Sequence, residues 1–206
     1  MHTGPLRIDK EKMSKSLDNF LTIRDALKDY PYEVLRFFLL SSHYRSPINY
    51  SEEALVESKA ALERLYTAIH DVDVSLTDEL SRGSHTGQFK EAMDDDFNVP
   101  EALSVLFDLA KTINKLKESG DIEKTKVLAK ELINLSNSLG LLEQDSEIFL
   151  KSGVEMNESE VQALIDEREK SRDEGDYSKA DEIRDQLLEK NIILEDSKEG
   201  TFWRRR

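Results

Sequence analysis

Between Ser51 and Leu142 the apolar residues recur at helical spacing, and this periodicity most limits the folds open to the chain. Ser51 is a good N-cap for a helix whose Ala54, Leu55, Ser58, Leu62, Leu65 and Ile69 share one face. Asp71 to Thr86 is acidic and Gly-containing, and reads as a linker. Phe89 to Met93 then opens a second helical block, followed by an acidic turn, Asp94-Asp95-Asp96. Pro100 starts a long helix with Leu103, Leu106, Phe107, Ala110 and Ile113 on one side, and Ser119-Gly120 ends it. Leu128, Leu132, Leu135 and Leu139 repeat the pattern, with Gly140 as a C-terminal cap. Such stripes are buried only against one another, so residues 51–142 are predicted to form antiparallel helices in a bundle.

The flanks differ from this centre. Leu6 and Ile8 make a short apolar piece after a Gly4-Pro5 turn, a strand end too short to form its own sheet. Thr22 is a plausible N-cap with Asp25 in the first turn, and Pro31 starts a second helix. Val34, Leu35, Phe37, Phe38, Leu39 and Leu40 are apolar nearly all round, which predicts burial on several sides. Residues 42–50 read as a polar, Pro-broken connection, and Glu143 to Met156 as a second linker. Beyond it, Asn157 and Glu160 have capping-box spacing before Val161, Leu164 and Ile165. Gly175-Asp176 separates that helix from one burying Ala180, Ile183 and Leu187, and two short strands around Gly200 predict a hairpin. The fold expected is mainly α. A helical connector (1–50) precedes the bundle (51–142), and a small helix-pair plus β-hairpin domain (157–206) follows it.

Composition narrows the function. The net charge of −14 argues against a protein that coats nucleic acid through its phosphates. The imbalance is uneven: residues 1–50 carry 8 Lys/Arg against 6 Asp/Glu, the remainder 21 against 37. RNA contacts in the acidic part must therefore come from local basic spots and base edges, which carboxylates can also read. The chain has no cysteine, so it offers neither disulfides nor thiolate metal ligands. No apolar run reaches membrane-spanning length and no secretory signal opens the chain, so a cytoplasmic protein is expected; it is also expected to be a monomer.

The most specific motif lies in the connector. Lys12-Met13-Ser14-Lys15-Ser16 places two lysines three residues apart among serines, suited to a loop that sets ammonium groups on phosphate oxygens. It resembles the KMSKS signature of class I aminoacyl-tRNA synthetases. Three further stretches are similar to cysteinyl-tRNA synthetases in order along the chain. They are Arg36 to Ser46 with Asn49-Tyr50-Ser51, then Ala92 to Leu103, and finally Leu194-Glu195-Asp196 through Gly200 to Arg205.

The resemblance implies a C-terminal fragment of a ligase that activates cysteine with ATP and transfers it to tRNA-Cys. Lys15, with Ser14 and Met13, would bind ATP and stabilise the developing pyrophosphate charge, with Lys12 as the supporting lysine. The nucleotide-binding domain with its HIGH motif, and the family's zinc site, would belong to an absent N-terminal catalytic domain. His2, His43, His70 and His85 occur in no HIGH-like context, so the fragment alone is expected to be inactive. By position in the family pattern, Arg172, Asp181 and Asp196 are candidate anticodon contacts. Tyr177 and Trp203 are the candidate stacking aromatics.

Each candidate has a plainer alternative. Lys12 could be a solvated loop charge, Trp203 a core residue of the hairpin domain, and Asp181 an ordinary helix carboxylate near Arg184 or Asp185. Arg204, Arg205 and Arg206 could contact phosphate or form a frayed tail. His43 and Tyr44 could touch the tRNA acceptor arm or pack against the missing domain. Asp94-Asp95-Asp96 fits a helix-entry cap better than a metal site, because consecutive carboxylates point different ways. Two other functions compete with the ligase reading. One is a stand-alone, non-catalytic helical module binding tRNA or protein; the other is a mycothiol-type cysteine ligase, which the last forty-odd residues disfavour.

Overall fold

The computed structural model describes residues 2–8, 11–12, 22–75, 84–152, 156–197 and 200–205. The chain divides into two compact units, 1–146 and 147–206. Both are predominantly helical, as the periodicity requires.

The first unit opens with a small sheet. Strand β1 (Leu6–Ile8) pairs antiparallel with β2 (Glu11–Lys12) and parallel with β3 (Ile48–Tyr50), giving the order β2-β1-β3. This corrects the expectation for residues 42–50, whose last three residues are a strand rather than connection. A parallel partner must return through a crossover, and helices α1 (Ile23–Asp29) and α2 (Tyr32–Leu40) lie within it. Close approach at Gly4 makes the pairing possible. Gly4 N–H donates to the Tyr44 carbonyl at 2.8 Å. A Cβ on Gly4 would stand 2.1 Å from the Ser46 carbonyl oxygen.

Thr22 caps α1 as expected, its hydroxyl accepting from Asp25 N–H at 3.1 Å. Pro31 is the N-cap of α2 rather than its first helical residue. Burial of α2 is one-sided: Val34, Phe37 and Phe38 are interior, while Leu39 remains 47% exposed. Apolar composition alone overstated that burial.

Helix α3 (Glu52–Ile69) is capped by Ser51 and buries Leu55, Leu62, Leu65 and Tyr66. Helix α4 (Ser84–Asp94) is longer than the expected Phe89–Met93 segment and takes the end of the predicted linker. Glu131 explains its start: this buried carboxylate accepts from Thr86 N–H at 3.0 Å and from its hydroxyl at 2.6 Å. A carboxylate near a helix N-terminus meets unpaired N–H groups and the positive end of the helix dipole. Helix α5 (Val99–Ser119) packs against α3, α4 and α6 (Ile122–Ser138). Gly120, at φ +76°, ends α5, and Asp121 caps α6. Gly140, at φ +68°, follows α6, with the Arg36 guanidinium against it.

One carboxylate ties the connector to this bundle. Glu33 on α2 is fully buried and accepts from Tyr66 Oη at 2.8 Å and from the N–H groups of Leu142 at 3.1 Å and Glu143 at 3.2 Å. Leu142 adopts a left-handed φ of +57°, which turns successive N–H groups toward one acceptor. Helix α2 thus packs on α3 and is locked to residues 142–143 within the first compact unit.

The second unit begins within the expected second linker, which contains helix α7 (Ser146–Lys151) with Phe149 and Leu150 buried. Asn157 and Glu160 form the predicted capping box at the start of α8 (Glu158–Asp173). Gly175, at φ +80°, and the N-cap Asp176 separate it from α9 (Tyr177–Glu189). Strands β4 (Ile192–Ser197) and β5 (Gly200–Arg205) form the predicted antiparallel hairpin, with Leu194 opposite Trp203 and Asp196 opposite Thr201. Its core is Val161, Ile165, Ile183, Leu187, Ile192, Leu194 and Trp203. No helix among the described residues is long and apolar enough to cross a membrane.

Candidate nucleic-acid interface

Strand alternation places Ile192, Leu194 and Asp196 on one face of the hairpin. The first two enter the core; Asp196 lies at the turn end, where the apolar layer gives way to charge. On α8, Val161, Ile165, Arg168 and Arg172 follow the spacing of a single helical face. The same handover from apolar to charged thus occurs on both surfaces. It brings two arginines onto one aspartate.

Arg168 meets Asp196 in a two-point pair, Nη1 to Oδ1 at 2.9 Å and Nη2 to Oδ2 at 2.9 Å. Arg172 adds Nη1 to Oδ2 at 3.1 Å, and the Thr201 hydroxyl donates to Oδ1 at 2.9 Å. The arginines differ in burial. Arg168 has a side chain 6% exposed, whereas Arg172 and Asp196 are each 47% exposed. The Arg168 hydrogen bonds, helped by Thr201 and by both guanidinium charges, hold the Asp196 carboxyl well below the usual carboxylate range. Partial burial opposes this and is outweighed.

The other candidates separate cleanly. Tyr177, at the start of α9, is 67% exposed, so its ring is open to a stacking partner. Asp181 is exposed on the same helix. Trp203 is 5% exposed within the core, so in this structure its ring packs and is not presented. Lys151 lies over it, Nζ 5.0 Å from the ring centroid, and is held by Glu147 and Glu158. The Arg204 guanidinium pairs with Glu195 at 2.6 Å. Arg168 went unnoticed in the sequence, although its i+7 position from Val161 on the core face was a usable signal: a nearly buried arginine there needs a carboxylate partner.

In the first unit, Met13, Ser14 and Lys15 lie outside the described residues. Lys12 lies in β2, at the register position opposite Arg7 of β1. His43 and Tyr44 are described; their rings stack with centroids 4.8 Å apart. Tyr44 Oη donates to Asp96 Oδ1 at 2.7 Å, and Arg45 Nε pairs with Asp96 Oδ2 at 2.8 Å. Asp96 is therefore engaged by the connector and does not cap α5. That cap is Asn98, whose side chain accepts from Glu101 N–H. Among the described residues no cluster of three or more His, Asp or Glu could hold a metal.

Three family models match in succession. They are the tRNA synthetases class I (C) catalytic domain over residues 1–60, the DALR domain over 88–143, and the cysteinyl-tRNA ligase anticodon binding domain over 158–204. The cysteine–tRNA ligase of Yersinia enterocolitica is 52% identical over 209 residues, covering 100% of this chain and 45% of that protein. Those of Serratia proteamaculans and Pectobacterium carotovorum are 51% and 50% identical with the same coverage. The chain thus spans about 45% of the length of the curated relatives it matches. Among solved structures, the Agrobacterium radiobacter K84 agnB2 LeuRS, in a ternary complex with tRNA and LeuAMS, superposes with a TM-score of 0.54. That match covers 71% of this chain and 21% of that one at 16% identity, a likeness of fold alone.

Proposed function

Since the chain belongs, over its whole length, to the cysteine–tRNA ligase family, we propose that it supplies the lysine signature loop and the tRNA-binding part of such a ligase. In the reaction proposed, the carboxylate of cysteine attacks the α-phosphate of ATP, giving cysteinyl-adenylate and pyrophosphate. The acyl group then passes to the 3′ end of tRNA-Cys. Lys15, supported by Lys12, Met13 and Ser14, is assigned to ATP and to the charge that develops on the leaving pyrophosphate. The family's zinc site does not fit this chain's donor set, which has no cysteine thiolate. Residues 1–50, 51–142 and 157–206 are assigned as connector, bundle and anticodon reader. A cytoplasmic monomer is the expected setting.

The observation that carries the anticodon assignment is the half-exposed Arg172–Asp196 pair at the hairpin turn. It offers donors and a carboxylate together, as recognition of unstacked bases requires. Tyr177 adds an exposed ring in the same unit. Binding of the 206-residue chain to tRNA-Cys transcripts at fixed salt, with native against substituted anticodons, tests the assignment. Preference for the native anticodon supports it. Equal affinity overturns it and favours the alternative, a non-catalytic helical module that binds tRNA or protein without reading an anticodon. In either case the isolated chain is expected not to aminoacylate.

A further inference from the structure

We propose that Arg168 is a positioning residue that fixes Asp196 as an acceptor, and that Arg172 is an exchangeable occupant which leaves Asp196 Oδ2 to a base amine. This rests on the anticodon reading above. It goes beyond it by giving the three residues different tasks.

An ionised carboxylate offers about four lone-pair sites. Asp196 has them filled from within the chain: Arg168 and Thr201 on Oδ1, Arg168 and Arg172 on Oδ2. A base amine can therefore reach this carboxylate only by replacing a resident donor. Arg168 is a poor candidate for release. It is nearly buried and joined at two points, so its departure would leave a guanidinium without its carboxylate inside the unit. Thr201 is held opposite Asp196 by strand pairing, so its hydroxyl can rotate but its oxygen cannot retreat far. Its hydroxyl also reaches Glu169 Oε1 at 3.1 Å.

Arg172 differs on each count. It makes one bond to Asp196, the longest of the four at 3.1 Å, from a side chain 47% exposed. It also belongs to a long, flexible residue type whose charged end readily stays solvated. On release its guanidinium remains beside the entering nucleotide, available to a phosphate, so the exchange trades one charged contact for another. In the free protein the same arginine screens the carboxylate that would otherwise repel approaching phosphates.

The test measures binding of the 206-residue chain to RNA stem–loops carrying the tRNA-Cys anticodon or a substituted one, across a salt series. The Trp203 indole signal serves as a check on folding. Arg168→Lys cannot make the planar two-point pair. It should bring a native-anticodon preference of about tenfold or more down to about threefold or less, while affinity for the substituted loop stays within about twofold. Asp196→Asn should do the same. Arg172→Ala leaves Oδ2 open, so it should keep the preference while weakening both loops alike and lowering the salt slope by about one.

A folded Arg168→Lys chain with undiminished preference overturns the positioning role. Loss of preference in Arg172→Ala, with substituted-loop affinity unchanged, overturns the exchange by making Arg172 itself the reader. A wild-type chain without preference overturns the anticodon reading first, and this inference with it. That failure shows in the wild type, so it is distinguishable from the other two.

Discussion

The hydroxyl of Tyr66 on α3 donates to the carboxylate of Glu33 on α2 at 2.8 Å, with both residues fully buried. Burial and the neighbouring carboxylate push the Tyr66 phenol up, so it remains a donor throughout the physiological range. Tyr66→Phe removes one donor and is expected to cost about 1–2 kcal/mol. Glu33→Ala also strands the N–H groups of Leu142 and Glu143 and should cost about 3 kcal/mol or more. Urea denaturation of the three chains gives the comparison. Equal stability of Glu33→Ala and wild type would remove the proposed role of Glu33 as a tie between connector and bundle.

Trp203 and Tyr177 should behave oppositely. Trp203→Ala empties the centre of a small core and is expected to destabilise the second unit by about 3–5 kcal/mol. Tyr177→Ala, on an exposed ring, should change stability by no more than about 0.5 kcal/mol and act on RNA binding instead. Thermal melts paired with RNA titrations separate the two effects. An inert Trp203→Ala would contradict its place in the core.

Acid should weaken the second unit through Asp196. Its carboxyl titrates below the unfolded-state value, so the folded state favours the charged form. The stabilisation is fully present above the ordinary aspartate value of 3.8 and is lost as pH falls below it. Asp196→Asn should flatten this acid limb and lower stability across the neutral range, because it leaves the nearly buried Arg168 guanidinium without its carboxylate. Parallel acid limbs for the two chains would place the sensitivity elsewhere.

Gly4 offers a test of the small sheet. A methyl group there would stand 2.1 Å from a backbone oxygen, which has no rotamer to escape into. Gly4→Ala should separate the 4–8 segment from residues 44–50, raising amide exchange in β1 and β3 by about tenfold or more, corresponding to a cost above about 1.4 kcal/mol. Unchanged protection would show that the backbone can shift to accommodate it.

For the proposed chemistry the sharpest variant is Lys15→Ala in a ligase carrying this segment with the rest of its family's length. Loss of one well-placed charge-stabilising contact should lower the rate of ATP–pyrophosphate exchange by about 10²–10³-fold. The KM for cysteine should change little. A KM effect without a rate effect would assign Lys15 to ground-state binding.

Local chemistry made much of this protein legible. The stripe of Leu103, Leu106, Ala110 and Ile113, the Asn157–Glu160 capping box and the Gly200 hairpin depend on neighbours a few residues apart, and all form as their spacing dictates. The motifs carrying the family resemblance are likewise contiguous, which is why they survive reading in one dimension.

Tertiary structure decided whatever depends on partners distant in sequence. Ile48–Tyr50 is a strand only because β1, some forty residues earlier, offers it an edge. Asp96 is turned away from capping by Tyr44 and Arg45. Arg168 resembles any helix arginine until the hairpin sets Asp196 against it, 28 residues on. Helix and turn signals are short-range properties of the backbone, whereas an ion pair across two elements exists only once packing has fixed where each side chain ends.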